Sequence, residues 1–263
     1  MNLNELVKTT RTIKPPRIVL HGIHGIGKST WASTAPAPIF LQTEDGLTSI
    51  DVAHFPLAKT MQQAFDYLDM LIDQKHEHKT LIIDTIDWFE RLIWKTVCDA
   101  NKVVSIEQIG YGKGYQFAIT HWDSLFEKLD KLRDKGMVVV LLAHNEVKTF
   151  SPPDGDPFDR YQIKLHKAAA GKIEEWADVV LFAGFRTLVN VQTGKVINNA
   201  ERVIHTTNRP AWKAKTRYDL PEELPLDNFS ELLSIIRAQS KKPEAKIEAK
   251  PEATKPQTTQ KEK

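Results

Sequence analysis

The chain has 263 residues, 27% charged and 41% hydrophobic, with 36 basic and 34 acidic side chains for a formal charge of +2. That balance suits one large α/β domain with a sizeable core and excludes a wholly basic nucleic-acid binder, so any nucleic-acid contact has to be a local patch. A single cysteine, Cys98, excludes an internal disulfide framework or a cysteine-based zinc site, and no apolar run approaches membrane-spanning length.

Residues 1–16 read as a polar lead-in closed by Pro15 and Pro16, without the apolar core of a signal peptide; a cytoplasmic location is expected, with no membrane partner. An apolar strand over 17–21 follows. It runs into Gly22-Ile23-His24-Gly25-Ile26-Gly27-Lys28-Ser29, which fits G-x-x-x-x-G-K-[ST], and Thr30-Trp31-Ala32 continue as a helix. The glycines let successive backbone N–H groups turn inward on phosphate oxygens, and the helix adds the positive end of its dipole. Residues 22–30 are therefore the expected ATP cradle, with Lys28 on the β- and γ-phosphates and the Ser29 hydroxyl on Mg²⁺.

A second strand over 39–41 leads into Gln42-Thr43-Glu44-Asp45-Gly46, and 52–57 reads as another short strand. Apolar residues at Met61, Ala64, Phe65, Leu68, Leu71 and Ile72 predict an amphipathic helix. Thr80-Leu81-Ile82-Ile83-Asp84 is continuously apolar up to its terminal acid, as a strand buried on both faces requires. A helix over 88–100, a Gly/Tyr-rich loop over 110–115, a long helix over 116–135 and a buried strand over 137–143 come next. Residues 146–166 are polar and broken by Pro152, Pro153, Gly155 and Pro157, and read as a long loop. A helix over 167–176, a strand over 178–183 and an antiparallel pair at 187–191 and 202–206 precede a last helix near 237. The domain expected over 17–238 is thus α/β, with a mostly parallel central sheet, helices on both faces and a C-terminal antiparallel strand pair. The Lys/Pro/Glu-rich tail over 239–263 is expected to be disordered.

Several residues carry candidate chemistry. Asp84, closing a strand after the P-loop, is placed to hold Mg²⁺ together with Ser29. Asp87 is the weaker metal candidate and reads as a helix N-cap. Glu44 reads equally as a surface acid and as the group that orients an attacking water. His144 ends the fourth strand, at the edge where ligands bind in such sheets, and is a candidate sensor of the γ-phosphate. Lys213, Lys215 and Arg217 alternate, so in an extended strand they share one face, either as a solvated edge or as cations reaching a neighbouring subunit. Two segments offer cations and aromatic rings to nucleic acid: 110–115, with Tyr111, Lys113 and Tyr115, and 148–172, where Asp154, Asp156 and Asp159 dilute Lys148 and Arg160.

In order, Gly-Ile-Gly-Lys-Ser-Thr, Phe-Leu-Gln-Thr-Glu-Asp-Gly-Leu, Leu-Ile-Ile-Asp-Thr, Leu-Leu-Ala-His-Asn and Ala-Lys-Thr-Arg-Tyr-Asp-Leu-Pro resemble phage-encoded RecA-like ATPases. The resemblance is greatest to the small single-strand-annealing recombinases of the Sak-four type, and it spans about residues 17–237. It implies a RecA-like P-loop core that binds ATP and Mg²⁺, assembles as a homo-oligomeric ring or filament and engages single-stranded DNA. It further implies Glu44 as catalytic glutamate, Asp84 as the Walker B acid, His144 as γ-phosphate sensor, Lys215 and Arg217 acting in trans, and 110–115 and 146–166 as the DNA-facing loops. Gln42 departs from the pattern, where related proteins often carry Asp. The leading expectation is an ATP-dependent DNA recombination or annealing protein, whose tail is a candidate contact for a single-strand-binding protein. The alternative is an ATP-switched replication or partition accessory without intrinsic DNA binding. A small-molecule kinase is disfavoured because no Arg-rich lid is present.

Overall fold

The computed structural model describes residues 14–189 and 196–239. The tail expected to be disordered, except for Gln239, which ends the last helix, and most of the lead-in lie outside the described residues. The P-loop strand is Arg17–Gly22 (β1), followed by the helix Lys28–Ser33 (α1), Pro38–Gln42 (β2), Met61–Asp73 (α2) and Thr80–Asp84 (β3). The middle of the chain forms Ile86–Asn101 (α3), Lys113–Asp134 (α4), Val138–Phe150 (β4), Phe158–Ile163 (β5) and Lys167–Trp176 (α5). Val179–Val189 (β6), Val196–His205 (β7), Lys215–Thr216 (β8), Glu223–Pro225 (β9) and Phe229–Gln239 (α6) complete it.

The strands pair in the order β2-β3-β4-β1-β6-β7-β9, with β5 on β4 and β8 on β6. The pairings from β2 to β6 are parallel and those of β5, β7, β8 and β9 antiparallel. This is an α/β core with a mostly parallel central sheet, helices on both faces and antiparallel strands added after β6. The parallel strands alternate their side chains between two apolar layers. Val19, Leu81, Ile83, Val139 and Leu141 face one side, where α2, α3, α4 and α5 pack around Trp122 and Phe89. Ile18, Leu20, Ile82, Val140 and Leu142 face the other, which α1 and α6 cover with Trp31, Phe229 and Leu233. The Trp31 and Phe229 rings meet at 4.6 Å, and the Thr34 hydroxyl accepts the Phe229 N–H at 2.9 Å. That contact fixes the last helix beside the P-loop helix.

Three expectations change. Residues 146–166 are not a loop: β4 runs unbroken past His144 to Phe150 and returns antiparallel as β5. The prolines, with Asp154 and Asp156, occupy the turn, and of the aspartates Asp159 lies in β5, while Val147, Thr149, Tyr161 and Ile163 keep the β-branched and aromatic character of strands. The strands expected at 178–183 and 187–191 are, as far as Val189, one strand, β6, whose register with β7 shifts between Phe185 and Thr187; residues 190–195 lie outside the described residues. Between residues 52 and 57 only a bridge from Phe40 to His54 forms.

An ionic cluster closes the amino-terminal end of the sheet. The buried Asp178 carboxylate accepts from Arg17 at 3.0 Å, Arg133 at 2.9 Å and Arg217 at 2.9 Å. Burial opposes its ionisation, but the Arg17 hydrogen bonds and the surrounding guanidinium charge hold it below the usual carboxylate range. Glu90 is the opposite case. It is buried on α3, where it accepts the backbone N–H of His166, the N-cap residue of α5, at 3.0 Å. Burial, reinforced by the charges of Asp87 and Glu146, pushes its carboxyl up to about 7.

Two outcomes follow from this packing. Trp31→Ala removes the ring wedged between α1 and α6 and is expected to destabilise the fold by about 3–5 kcal/mol in urea unfolding. Glu90 binds its proton more tightly folded than unfolded, so its contribution to stability declines as pH rises from about 4.5 to about 7. Glu90→Gln preserves the acceptor for His166 and is expected to raise stability by about 2–3 kcal/mol at pH 8 with little effect at pH 4.5, read from paired unfolding curves.

Candidate functional site

The P-loop leaves β1 between two neighbouring strands, with Gly22 opposite His144 on β4 and Ala183 on β6. A Cβ at Gly22 would lie 2.7 Å from the Ala183 carbonyl oxygen, so only glycine fits there. Gly25 and Gly27 take φ of 71° and 108°, in the left-handed region, and Gly27 is the N-cap of α1. The Lys28 ammonium turns back into the loop and donates to the carbonyls of Gly22 at 3.1 Å and Ile23 at 3.0 Å. Burial lowers its pKa against the pull of Asp84, Asp87 and Glu44.

Ser29 begins the helix on the side of β3, and its hydroxyl donates to Asp84 Oδ2 at 2.6 Å. The Asp84 carboxyl is pushed up by burial, with Ser29 and Lys28 opposing the shift. Glu44 is positioned by backbone bonds that splice the end of β2 to the end of β3: Thr43 N–H to the Asp84 carbonyl at 2.9 Å and the Thr43 hydroxyl to the Thr85 carbonyl at 2.6 Å. The Thr85 hydroxyl then donates to Glu44 Oε2 at 3.3 Å. His24, Gly25, Gly27, Lys28, Ser29, Thr30, Glu44, Asp84 and His144 line one cavity of about 300 Å³. Gly22, Ile23 and Ile26 form the turn behind it. A buried ammonium held only by carbonyls, next to a buried carboxylate held by a hydroxyl, fits a phosphate accompanied by a divalent cation.

His144 is held rigidly. Asp87 Oδ1 accepts its backbone N–H at 2.9 Å, and Asp87 Oδ2 lies 2.9 Å from its Nδ1. Both residues are buried, and the His144 bonds hold Asp87 below the usual carboxylate range although burial acts against this. The expected N-cap role of Asp87 is corrected: Thr85 is the N-cap of α3, and Asp87 in the first turn faces β4. Sequence reading also missed Arg202, which reaches from β7 to donate to the Ile26 carbonyl at 3.4 Å and lines the same cavity. Its place depends on pairing across the sheet, and nothing local marks it.

Lys213, Lys215 and Arg217 are not brought to this cavity within the chain. Thr216 and Lys215 pair with Val179 and Val180, at the opposite end of β6 from the P-loop. Lys213 pairs with Glu174 at 2.9 Å, Lys215 donates to the carbonyls of Glu174 at 2.6 Å and Ala177 at 3.1 Å, and Arg217 joins Asp178. They close the carboxyl end of α5, where cations suit the helix dipole. Of the two tyrosines in 110–115, Tyr111 is fully exposed, whereas Tyr115 stacks on His166 with ring centroids 4.0 Å apart. On the β4–β5 hairpin Val147, Phe150 and Tyr161 are exposed, and Arg160 lies 4.6 Å over the Phe150 ring. Among the described residues, no helix is long and apolar enough to cross a membrane.

The chain is similar to the SPbeta prophage-derived uncharacterized protein YorG of Bacillus subtilis (strain 168), at 24% identity over 173 residues. That match covers 60% of this chain and 52% of the relative, so the chain spans about half the length of the curated relative it matches. Among solved structures, the flagellar accessory protein FlaH of Methanocaldococcus jannaschii matches with a TM-score of 0.38 and 11% identity, over 73% of this chain and 77% of that one. The AAA domain family model matches residues 14–218, from the lead to β1 to just past β8. With the P-loop, Asp84 and His144 all inside that match, this chain belongs to the AAA domain family of P-loop ATPases.

Proposed function

We propose that the protein hydrolyses ATP with Mg²⁺ and uses the cycle to act on single-stranded DNA, as a recombination or single-strand-annealing protein. One observation carries the reading: Lys28, Ser29, Asp84, Glu44 and His144 converge on one cavity, and the aromatic and cationic β4–β5 hairpin grows directly from His144. Ser29 and Asp84 would hold Mg²⁺, which would supply charge neutralisation at the phosphate oxygens. Lys28 and the amides of residues 25–30 bind and orient the phosphates. Glu44 is half-exposed and reachable by water; its carboxylate orients that water and takes its proton. His144, fixed by Asp87, reads the outermost phosphate. Tyr111, Lys148, Phe150, Arg160 and Tyr161 offer rings and cations to bases and backbone. A ring or filament of copies is part of the proposal, with Lys215 and Arg217 exchanging their intrachain partners for the neighbour's nucleotide.

The intrachain ion pairs of Lys213 and Arg217, and the aspartates on the hairpin, favour a second reading. In it the ATPase is a switch for a protein partner in replication or partition and does not bind DNA itself. Gel mobility of a single-stranded oligonucleotide with ATP and Mg²⁺ separates the two: a shift that weakens steeply with added salt supports recombination, and no shift at low salt supports the switch.

At the catalytic level, Lys28→Ala is expected to abolish ATP binding in a filter assay. Glu44→Gln should still bind ATP, with turnover reduced by about 10²–10⁴-fold. Wild-type turnover in Glu44→Gln would remove Glu44 from the mechanism.

A further inference from the structure

The P-loop holds phosphate with backbone amides, a lysine and a hydroxyl. An imidazole is not needed there, yet His24 occupies its centre. The His24 ring stacks on His144 with centroids 3.6 Å apart and planes inclined by 21°. Glu44 lies beside the same ring, its Oε2 3.8 Å from the Nδ1 that Asp87 holds. One ligand-capable atom from each of His24, Glu44 and His144 lies within 4.8 Å of the other two.

We propose that His24, Glu44 and His144 form a binding site for a divalent transition cation of the Zn²⁺ class, distinct from the Ser29–Asp84 pair. Two imidazoles and a carboxylate with one position left open are a donor set that such cations favour. Mg²⁺ takes oxygen ligands and keeps its waters, so the hydroxyl–carboxylate pair suits it and the histidine set does not. The two cations therefore partition by ligand chemistry within one cavity.

Asp87 is the second, independent sign. Its carboxylate accepts from Nδ1 of His144 at 2.9 Å, which commits that nitrogen and leaves Nε2 as the ring's ligand atom. A carboxylate behind a histidine in this way fixes the tautomer and raises its basicity toward a metal. Donor atoms around a tetrahedral Zn²⁺ stand about 3.3 Å apart, given metal–ligand bonds of about 2.0–2.1 Å. Bringing the donors of His24 and Glu44 to that spacing around His144 Nε2 requires rotations of His24, which is exposed, and Glu44, which is half-exposed; His144 itself is buried. The site belongs to the nucleotide-free chain: Glu44 and His144 are the side chains that the proposed ATP cycle gives to water and to the outermost phosphate, so Zn²⁺ and that cycle compete for them, and Zn²⁺ binding without nucleotide does not depend on ATP hydrolysis.

The test uses the full chain without nucleotide. Zn²⁺ is titrated by calorimetry, and Co²⁺ is followed by its visible absorption as a report of ligand field. The expected result is one saturable Zn²⁺ per chain, with tetrahedral-type Co²⁺ bands. Affinity should fall at least about tenfold in His24→Ala, and about 10–100-fold in Asp87→Asn. A His76→Ala/His78→Ala variant, which removes the other histidine pair, should bind as the wild type does. His24 lies on an exposed loop, and circular dichroism of His24→Ala establishes that the variant is folded. Wild-type affinity in His24→Ala, loss of binding only in the His76/His78 variant, or no saturable Zn²⁺ binding by the wild type would each overturn the proposal.

Discussion

The insertion of β4 between β1 and β3 is the constraint on which the site depends. Its register sets Leu142 opposite Asp84 and His144 opposite Gly22. His144 therefore emerges two residues beyond the level of Asp84, directly across from the start of the P-loop. The same pairing leaves Ser29, the second residue of α1, within hydrogen-bond reach of Asp84 across 55 residues of sequence. A one-residue slip of β4 would reverse the face of every side chain along it, turning His144 away and burying Leu142 and Val140 against the wrong helices. The two apolar layers forbid that slip, because both faces of the strand are committed to packing.

The charges at the two ends of this sheet follow different rules. At the amino-terminal end Asp178 is matched by Arg17, Arg133 and Arg217, and its carboxyl is held low. That cluster is closed. At the other end burial lowers Lys28 and raises Asp84, so both are driven toward neutrality at once. An anion alone would relieve Lys28 and worsen Asp84, and a cation alone would do the reverse. A phosphate that arrives with a divalent cation relieves both. The complex of a nucleotide with Mg²⁺ thus fits the electrostatics of the pocket better than either component.

What could be read from sequence was what is local. The P-loop is a contiguous pattern, and strands such as Thr80–Asp84 announce themselves by unbroken apolarity before an acid. The helix Lys167–Trp176 was bounded correctly from its own residues. The failures share a different origin. The β4–β5 hairpin was obscured because its turn concentrates proline and aspartate, which masked the strand character on either side. Asp87, Arg202 and Lys215 find their partners 57, 176 and 41 residues away, and pairing at that distance leaves no mark in a single sequence. Glu44 could not be separated from a surface acid by spacing; the splice of Thr43 onto Asp84 and Thr85 is what aims it into the cavity.

That the segment after His144 is a strand has mechanical consequences a loop would not have. A flexible loop absorbs a displacement at its root, whereas a paired strand carries it. From His144 to Phe150 there is no break, and the Lys164 N–H donates to the His144 carbonyl at 2.9 Å, tying the returning strand to the same residue. The hairpin extends about 20 Å at roughly 3.4 Å per residue. A small rotation at His144 is therefore amplified at Phe150 and Arg160. The other segment with an exposed tyrosine is joined to the same point through α3. Asp87 holds His144, Glu90 one turn later holds the His166 N–H, and the His166 ring stacks on Tyr115 at the start of α4. These contacts are contiguous and mostly buried, which makes α3 the common mount for the cavity and for both surfaces beside it. A change in what His144 touches has to be accommodated by α3 or by the hairpin, since the sheet beneath them is packed on both faces and cannot yield.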